Sequence, residues 1–397
     1  MEYIKLKDIC DLKNGYAFKS SDYVEKSDVL NCRMSNIRPN ATFDAEYNPK
    51  YLPNDYAEKY KEYLLYDGDL IIAMTDLAND PKILGVPTIV YTNGYKMLLN
   101  QRVGKLLLLN ERPIKKKYLK YALSVPQNRG YFKKFAGGGV QINIGKAEIL
   151  NIDIPYCDIE TQNKIVEILD KAQSLIDKKK EQIKLLDELV KSRFIEMFGD
   201  PVSNSKGWEN ELLGNLGTLG RGISKHRPRN APELLGGIYP LIQTGDVANS
   251  DLYIKKYNST YSELGLKQSK MWEKGTLCIT IAANIAKTSI LEFDSCFPDS
   301  VVGFISGERT NSIFIHYWFT FFQRILENQA PESAQKNINL KILNNLEVIL
   351  PPIELQNEFA EFVTQTDSIR SKMEASLSEL EDNFNSLMQK AFKGELF

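Results

Sequence analysis

The sequence predicts an α+β protein in which two pseudo-symmetric mixed α/β domains are joined by two long antiparallel coiled-coil helices. Three observations predict it. The two halves of the chain repeat each other, each half ends in a run with heptad spacing, and each half begins with short apolar runs cut by Gly, Pro, Asn and Asp. At 397 residues the chain is also too long for one ordinary core.

The repeat fixes the domain plan. Leu6, Ile9, Leu12 and Gly15 correspond to Leu213, Leu216, Leu219 and Gly222 at one constant offset, and Leu70-Ile71-Ile72 after Gly68 matches Leu277-Cys278-Ile279 after Gly275. Further on, Ile142-Asn143-Ile144, Pro155 and Glu160-Thr161-Gln162-Asn163 recur as Ile338-Asn339-Leu340, Pro351 and Glu354-Leu355-Gln356-Asn357, with one two-residue gap placed after the proline. Two copies of this size are duplicated modules rather than solenoid repeats. The order is cyclic, because copy one runs into copy two, so the termini are expected close together. The expected segments are a domain at 1–158, a helix at 159–198, a linker at 199–205 through Gly199-Asp200-Pro201, a domain at 206–352 and a helix at 353–397.

After Pro155 the spacing becomes helical. Leu169, Ile176, Ile183, Val190 and Met197 form one column seven residues apart, and Ile165, Ala172, Lys179, Leu186 and Arg193 form the other. The C-terminal run repeats this with Phe359, Thr366, Met373, Leu380 and Leu387 beside Val363, Arg370, Leu377, Phe384 and Ala391. Paired columns of this kind are coiled-coil core positions. The core named from them is Leu169, Ile176, Ile183, Val190, Leu377, Leu380, Phe384 and Leu387. Matched registers in one chain predict that the helices pack on each other, antiparallel because the second domain starts where the first helix ends. A homodimer is the other arrangement that heptads of this length allow. At 1.5 Å per residue each helix is about 55 Å long, more than one turn of duplex DNA.

Within the globular halves, apolar periodicity predicts aromatic-rich helices over Lys117 to Leu123 and Ile313 to Ile325, with the aromatics in the core. Arg221-Gly222-Ile223-Ser224-Lys225-His226-Arg227-Pro228-Arg229 carries four fixed positive charges and no acid. Its Gly and Pro make it a loop, and arginine and lysine there suit phosphate or guanine contact. Gln243-Thr244-Gly245-Asp246 follows an apolar strand, as Arg33-Met34-Ser35-Asn36 does in copy one. Short polar side chains at a strand end suit base-edge readout. The DNA-contact candidates are therefore Lys19, Arg33, Ser35, Asn36, Lys133, Lys134 and Gln141 in the first half, and Arg221, Ser224, Lys225, His226, Arg227, Arg229, Gln243, Thr244, Asp246, Gln335 and Lys336 in the second.

Composition excludes other classes. A hydrophobic fraction of 43% and a charged fraction of 25% are those of a folded globular protein. No apolar run reaches membrane-spanning or signal-peptide length, so no membrane partner and a cytoplasmic location are expected. Fifty basic and fifty-one acidic side chains cancel, so any DNA contact must be local rather than a bulk-charge effect. The five cysteines are scattered without a Cys-x-x-Cys pair and read as reduced core thiols. With only His226 and His316, no histidine metal cluster is expected, and His316 reads as a core residue. Gly139 to Gly145-Lys146-Ala147 lacks the spacing and hydroxyl of a phosphate loop, and Gly137-Gly138-Gly139 lacks the dinucleotide-binding pattern and reads as a turn. Pro298-Asp299 with Glu308-Arg309 misses the final Glu-x-Lys of a metal-dependent nuclease core. No catalytic residue, metal or cofactor is expected in this chain.

Two recognition domains alternating with two helical segments in cyclic order resemble the specificity subunit of type I restriction-modification systems. The residues that carry the resemblance are Pro155 with Glu160-x-Gln162, their copies Pro351 with Glu354-x-Gln356, and the Gly199-Asp200-Pro201 exit, and it extends over nearly the whole chain. The resemblance implies two target recognition domains, each reading one part of a bipartite, asymmetric site on double-stranded DNA, with the helices setting the unread spacer. It implies two methyltransferase subunits docked along the helices, for which Glu160, Gln162, Glu354 and Gln356 are partner-contact or helix-start candidates. It places S-adenosylmethionine on those subunits, and ATP and Mg on restriction/translocase subunits. A duplicated DNA-binding or scaffold protein outside restriction-modification is the competing reading.

Overall fold

The computed structural model describes residues 1–135, 141–329 and 338–396, so Gly137-Gly138-Gly139, Gln335 and Lys336 lie outside the described residues. The chain forms two compact units, Met1–Lys179 with Ser376–Phe397, and Lys180–Ala375.

In the first unit, Leu70–Ala73 lies between Val103–Leu108 and Pro87–Ile89, with Cys10–Asn14 on the outer side of Val103–Leu108, all antiparallel. A second sheet runs Tyr51–Leu52, Val29–Cys32, Lys96–Leu99, Leu64–Leu65, its central pair parallel. The second unit repeats the plan. Gly217–Arg221, Val301–Ser306, Leu277–Thr280 and Thr288–Leu291 form one antiparallel run, and Leu235–Leu241 lies parallel to Ser295–Cys296 in the other sheet. All four residues of Leu70–Ala73 and of Leu277–Thr280 are buried. This is why both read as continuous apolar runs rather than alternations.

The aromatic helices fall at Lys116–Ser124 and Ser312–Gln329. Tyr118, Phe314, Trp318 and Phe319 are fully buried, so these rings are core. His316 is buried too and shares a 3.0 Å hydrogen bond with Thr288 Oγ1. All five cysteines are free, and burial raises their thiol pKa values, Cys32 to about 12.

The long helices span Ile159–Phe198 and Ile353–Lys393, close to 60 Å each at about 1.5 Å per residue. Inside the first unit, Ile165 and Leu169 share a core with Met388, Ala391 and Phe392. Inside the second, Val190, Phe194 and Phe198 share one with Phe359 and Val363. In both cases the beginning of one helix lies with the end of the other, as antiparallel packing requires. Leu169, Ile176 and Val190 are buried, whereas Ile183, Leu377, Leu380, Phe384 and Leu387 are half-buried. Two polar members of the heptad columns are accounted for by the opposite helix. Arg370 pairs with Asp187, and Arg193 Nη2 lies 3.0 Å from Glu358 Oε1.

One side chain in each unit ties helix to domain. Gln162, completely buried, accepts the Lys115 N–H at 2.9 Å and donates to the carbonyls of Pro113 (3.2 Å) and Cys157 (2.9 Å). Gln356, equally buried, accepts the Asn311 N–H at 3.0 Å and donates to the carbonyls of Arg309 (3.1 Å) and Pro351 (2.8 Å). The superposable bonds correct the repeat alignment. Cys157, not Pro155, stands where Pro351 does, and the strand registers Ile4 with Ile154 and Glu211 with Val348 agree. The two-residue gap therefore disappears: the Ile144 N–H meets the Met74 carbonyl at 2.9 Å as the Ile338 N–H meets that of Ile281 at 3.0 Å, so Ile144, not Ile142, is the counterpart of Ile338. Asp158 caps the first helix by accepting the Thr161 N–H at 2.9 Å, which lowers its carboxyl pKa. The termini meet as the cyclic order implies: Ile4 shares a core with Met388 and Phe392.

Two outcomes follow. Gln356→Leu leaves buried backbone groups without partners and is expected to cost on the order of 3 kcal/mol in chemical denaturation. An unchanged midpoint would remove the glutamine from the junction. Burial pushes the His316 imidazole from 6.5 down to about 4, so the unfolded chain takes up a proton that the folded chain refuses. Stability is then complete above about pH 6.5 and falls as pH drops toward 4, by roughly 2 kcal/mol at pH 5. His316→Gln should flatten that part of the melting-temperature profile, and parallel profiles would contradict the assignment.

Candidate nucleic-acid interface

The basic loop of the second unit is built rather than loose. It leaves the strand Gly217–Arg221 at Gly222, where a Cβ would stand 2.3 Å from the carbonyl oxygens of Phe297 and Pro298, so only glycine permits this approach. Gly15 is pressed against Asn100 at the same 2.3 Å, which is why both copies keep glycine there. Beyond Gly222, Ser269 Oγ donates to the Ile223 carbonyl at 2.8 Å. Gln268 Oε1 accepts the N–H groups of Lys225 (2.7 Å) and His226 (3.1 Å). Arg227 Nη1 donates to the carbonyls of Ser224 (2.6 Å) and His226 (2.8 Å), while Arg221 donates twice to the Asp299 carbonyl. Lys225, His226, Arg227 and Arg229 remain exposed, and Ser224 is buried. Lys270, which the sequence reading missed, lies 3.8 Å over the Trp272 ring beside this loop. No charge run marks Lys270 or Gln268, so only tertiary structure reveals them.

The strand-end turns occupy matching places. Arg33 N–H donates to Asn36 Oδ1 at 2.8 Å, and Gln243 N–H donates to Asp246 Oδ2, also at 2.8 Å. Asn36 is buried and its amide nitrogen donates to the Asp44 carbonyl at 2.9 Å, whereas Asp246 is half-buried and also accepts from Asn258. Gln243 is exposed and Thr244 half-buried. Arg33 Nη1, Ser35 Oγ and Ser224 Oγ are buried without a hydrogen-bond partner among the described residues. In the first unit Lys19, Lys133, Lys134 and Gln141 are exposed. The sequence reading also missed ring contacts in this unit: Tyr16 packs on Tyr60 at 4.5 Å and on Phe18 at 5.0 Å, and Arg38 lies 3.6 Å over Tyr47. At the helix starts, Glu160 and Glu354 are exposed, while Gln162 and Gln356 are wholly engaged inside their own units.

The second unit also holds a cavity of about 380 Å³ lined by Asp187, Asp251, Thr288, His316, Asp367 and Arg370. Two of its carboxylates are paired, Asp187 with Arg370 and Asp367 with Lys255 at 3.1 Å. Among the described residues no group of three or more His, Cys, Asp or Glu is placed to hold a metal ion, and no helix is long and apolar enough to cross a membrane.

A domain duplicated on one scaffold, each copy fused to a long helix and carrying its own basic and amide groups, defines a bipartite recognition protein. The chain belongs to the family of the type I restriction modification DNA specificity domain, which matches residues 1–186 and 205–382. It is therefore a DNA sequence-recognition subunit of a type I restriction-modification complex, and non-catalytic. It is 24% identical to the Escherichia coli type I restriction enzyme EcoBI specificity subunit, over 99% of this chain and 85% of that one. It is 23% identical to a putative type I restriction enzyme MjaX specificity subunit of Methanocaldococcus jannaschii, over 80% and 76%. The fold matches the crystal structure of a type I restriction-modification system S subunit from M. genitalium, with a TM-score of 0.56, 14% identity, and coverage of 98% and 96%.

Gln268→Leu removes the acceptor for two loop amides. Hydrogen exchange at Lys225 and His226 is expected to accelerate by roughly tenfold or more with the domain core still protected. Unchanged exchange would mean that the loop is held by other contacts.

Proposed function

We propose that the chain reads a split, asymmetric site on double-stranded DNA, one half with the domain at 1–158 and the other with the domain at 206–352, the residues at 199–205 being a linker. Two methyltransferase subunits dock along the helices at 159–198 and 353–397, bind S-adenosylmethionine and methylate adenine at N6. Restriction subunits add ATP- and Mg-dependent translocation and cleavage, and the setting is the cytoplasm.

The observation that carries this reading is that equivalent positions on one scaffold bear different side chains. Asn36 stands where Asp246 does, and the basic loop after Gly222 replaces Tyr16-Ala17-Phe18 after Gly15. Two readers with one backbone and different edges select different half-sites. The candidate contacts in the second domain are Arg221, Ser224, Lys225, His226, Arg227, Arg229, Gln243, Thr244 and Asp246, and in the first Lys19, Arg33, Ser35, Asn36, Lys133, Lys134 and Gln141. Near-zero net charge fits a subunit that clamps DNA only with its partners, with strongly salt-dependent affinity in the complex.

The test is modified-base sequencing of DNA from cells expressing the chain with and without its candidate methyltransferase partner. N6-methyladenine at a split motif, only when both are present, is expected. No motif with a demonstrably active partner would favour a scaffold outside restriction-modification. Deleting one heptad from both helices removes about 10 Å and should shorten the unread segment by roughly three base pairs or abolish methylation. An unchanged spacing would refute the helices as its ruler.

A further inference from the structure

Asp299 touches three of the four fixed cations of the basic loop. It pairs with Arg229 through Oδ1, lies 3.6 Å from Arg227 Nη2 through Oδ2, and accepts Arg221 Nε and Nη2 at 2.9 and 2.6 Å on its backbone carbonyl. The geometry is set by the main chain, since Gly222 sits directly against the carbonyls of Phe297 and Pro298, the two residues preceding Asp299.

The contact belongs to this copy and not to the shared fold. Asp299 stands two residues before the strand Val301–Ser306, and Gln101 stands two residues before the matching strand Val103–Leu108. Copy one thus has an uncharged amide at this position, with the glycine contact alongside it retained at Asn100.

An arginine cluster without an acid would attract any phosphate and leave its guanidiniums free to rotate. A carboxylate bridging two of them lowers the loop's charge and holds the planar donors in one direction, the condition for bidentate guanine contact. Side-chain exposures of 55% for Arg227 and 46% for Arg229 keep both guanidiniums reachable from outside.

We propose that Asp299 is a positioning residue for DNA recognition by the second domain, orienting Arg227 and Arg229 toward bases and disfavouring DNA that offers only phosphates. The proposal rests on the reading that loop 221–229 contacts DNA.

The experiment uses the full chain in complex with its methyltransferase partner. Binding is measured across a salt series to a duplex carrying the methylated motif, and to duplexes with either half scrambled. Asp299→Asn is expected to lower the ratio of motif to scrambled affinity about tenfold for one half, with affinity for scrambled DNA unchanged or raised, and Asp299→Glu to restore most of the ratio. A fall in affinity for every duplex together with a lower melting temperature would reduce Asp299 to a fold-holding role and overturn the proposal. An unchanged ratio in Asp299→Asn, with Arg227→Ala and Arg229→Ala each weakening motif binding, would overturn it while leaving the loop's contact with DNA intact. Arginine variants that bind all duplexes like the parent would remove the loop from the interface, and the proposal with it.

Discussion

A recognition surface carried on a long helix is useful only if their junction is stiff, and here that stiffness comes from one buried amide per copy. Gln162 and Gln356 bond backbone groups of two loops that would otherwise be free to separate, the one leading into the aromatic helix and the one leading into the long helix. Glutamine suits the place because it offers an acceptor and two donors on one planar group, which carboxylate and ammonium do not. The aromatic core of the second unit lies beside this junction, with Phe194, Phe198 and Phe359 packed edge-on.

Most of the architecture was legible because duplication writes the same constraint twice. Leu6 and Leu213 are both fully buried, and so are Leu70 and Leu277, since the repeated apolar positions are core positions. The heptad columns were readable for the same reason, with exceptions at Arg193 and Arg370 that only the opposite helix explains. Pro155 was matched to Pro351 because proline is a conspicuous residue, yet the bond to the glutamine is made by a backbone carbonyl, which any residue supplies. The Arg221 to Arg229 loop was legible as a loop because its charge, Gly and Pro accumulate in sequence. Gln268, Lys270 and Asp299 were illegible as its neighbours because they reach that loop from distant segments of the chain.

The two copies divide into a shared scaffold and altered edges. Positions that hold the backbone, such as Gly15 and Gly222, keep their identity in both copies because a Cβ there would collide with main chain. Positions that end in solvent change freely at little cost to stability.

The second unit is continuous in the chain, from Lys180 to Ala375, while the first is completed only by Ser376–Phe397. During synthesis the N-terminal domain consequently waits for just over two hundred further residues before Met388, Ala391 and Phe392 reach the core around Ile4 and Leu169. At roughly 5 to 20 residues per second that is an interval of about 10 to 40 seconds. The half made first is finished last, and for that time part of its apolar core stays uncovered.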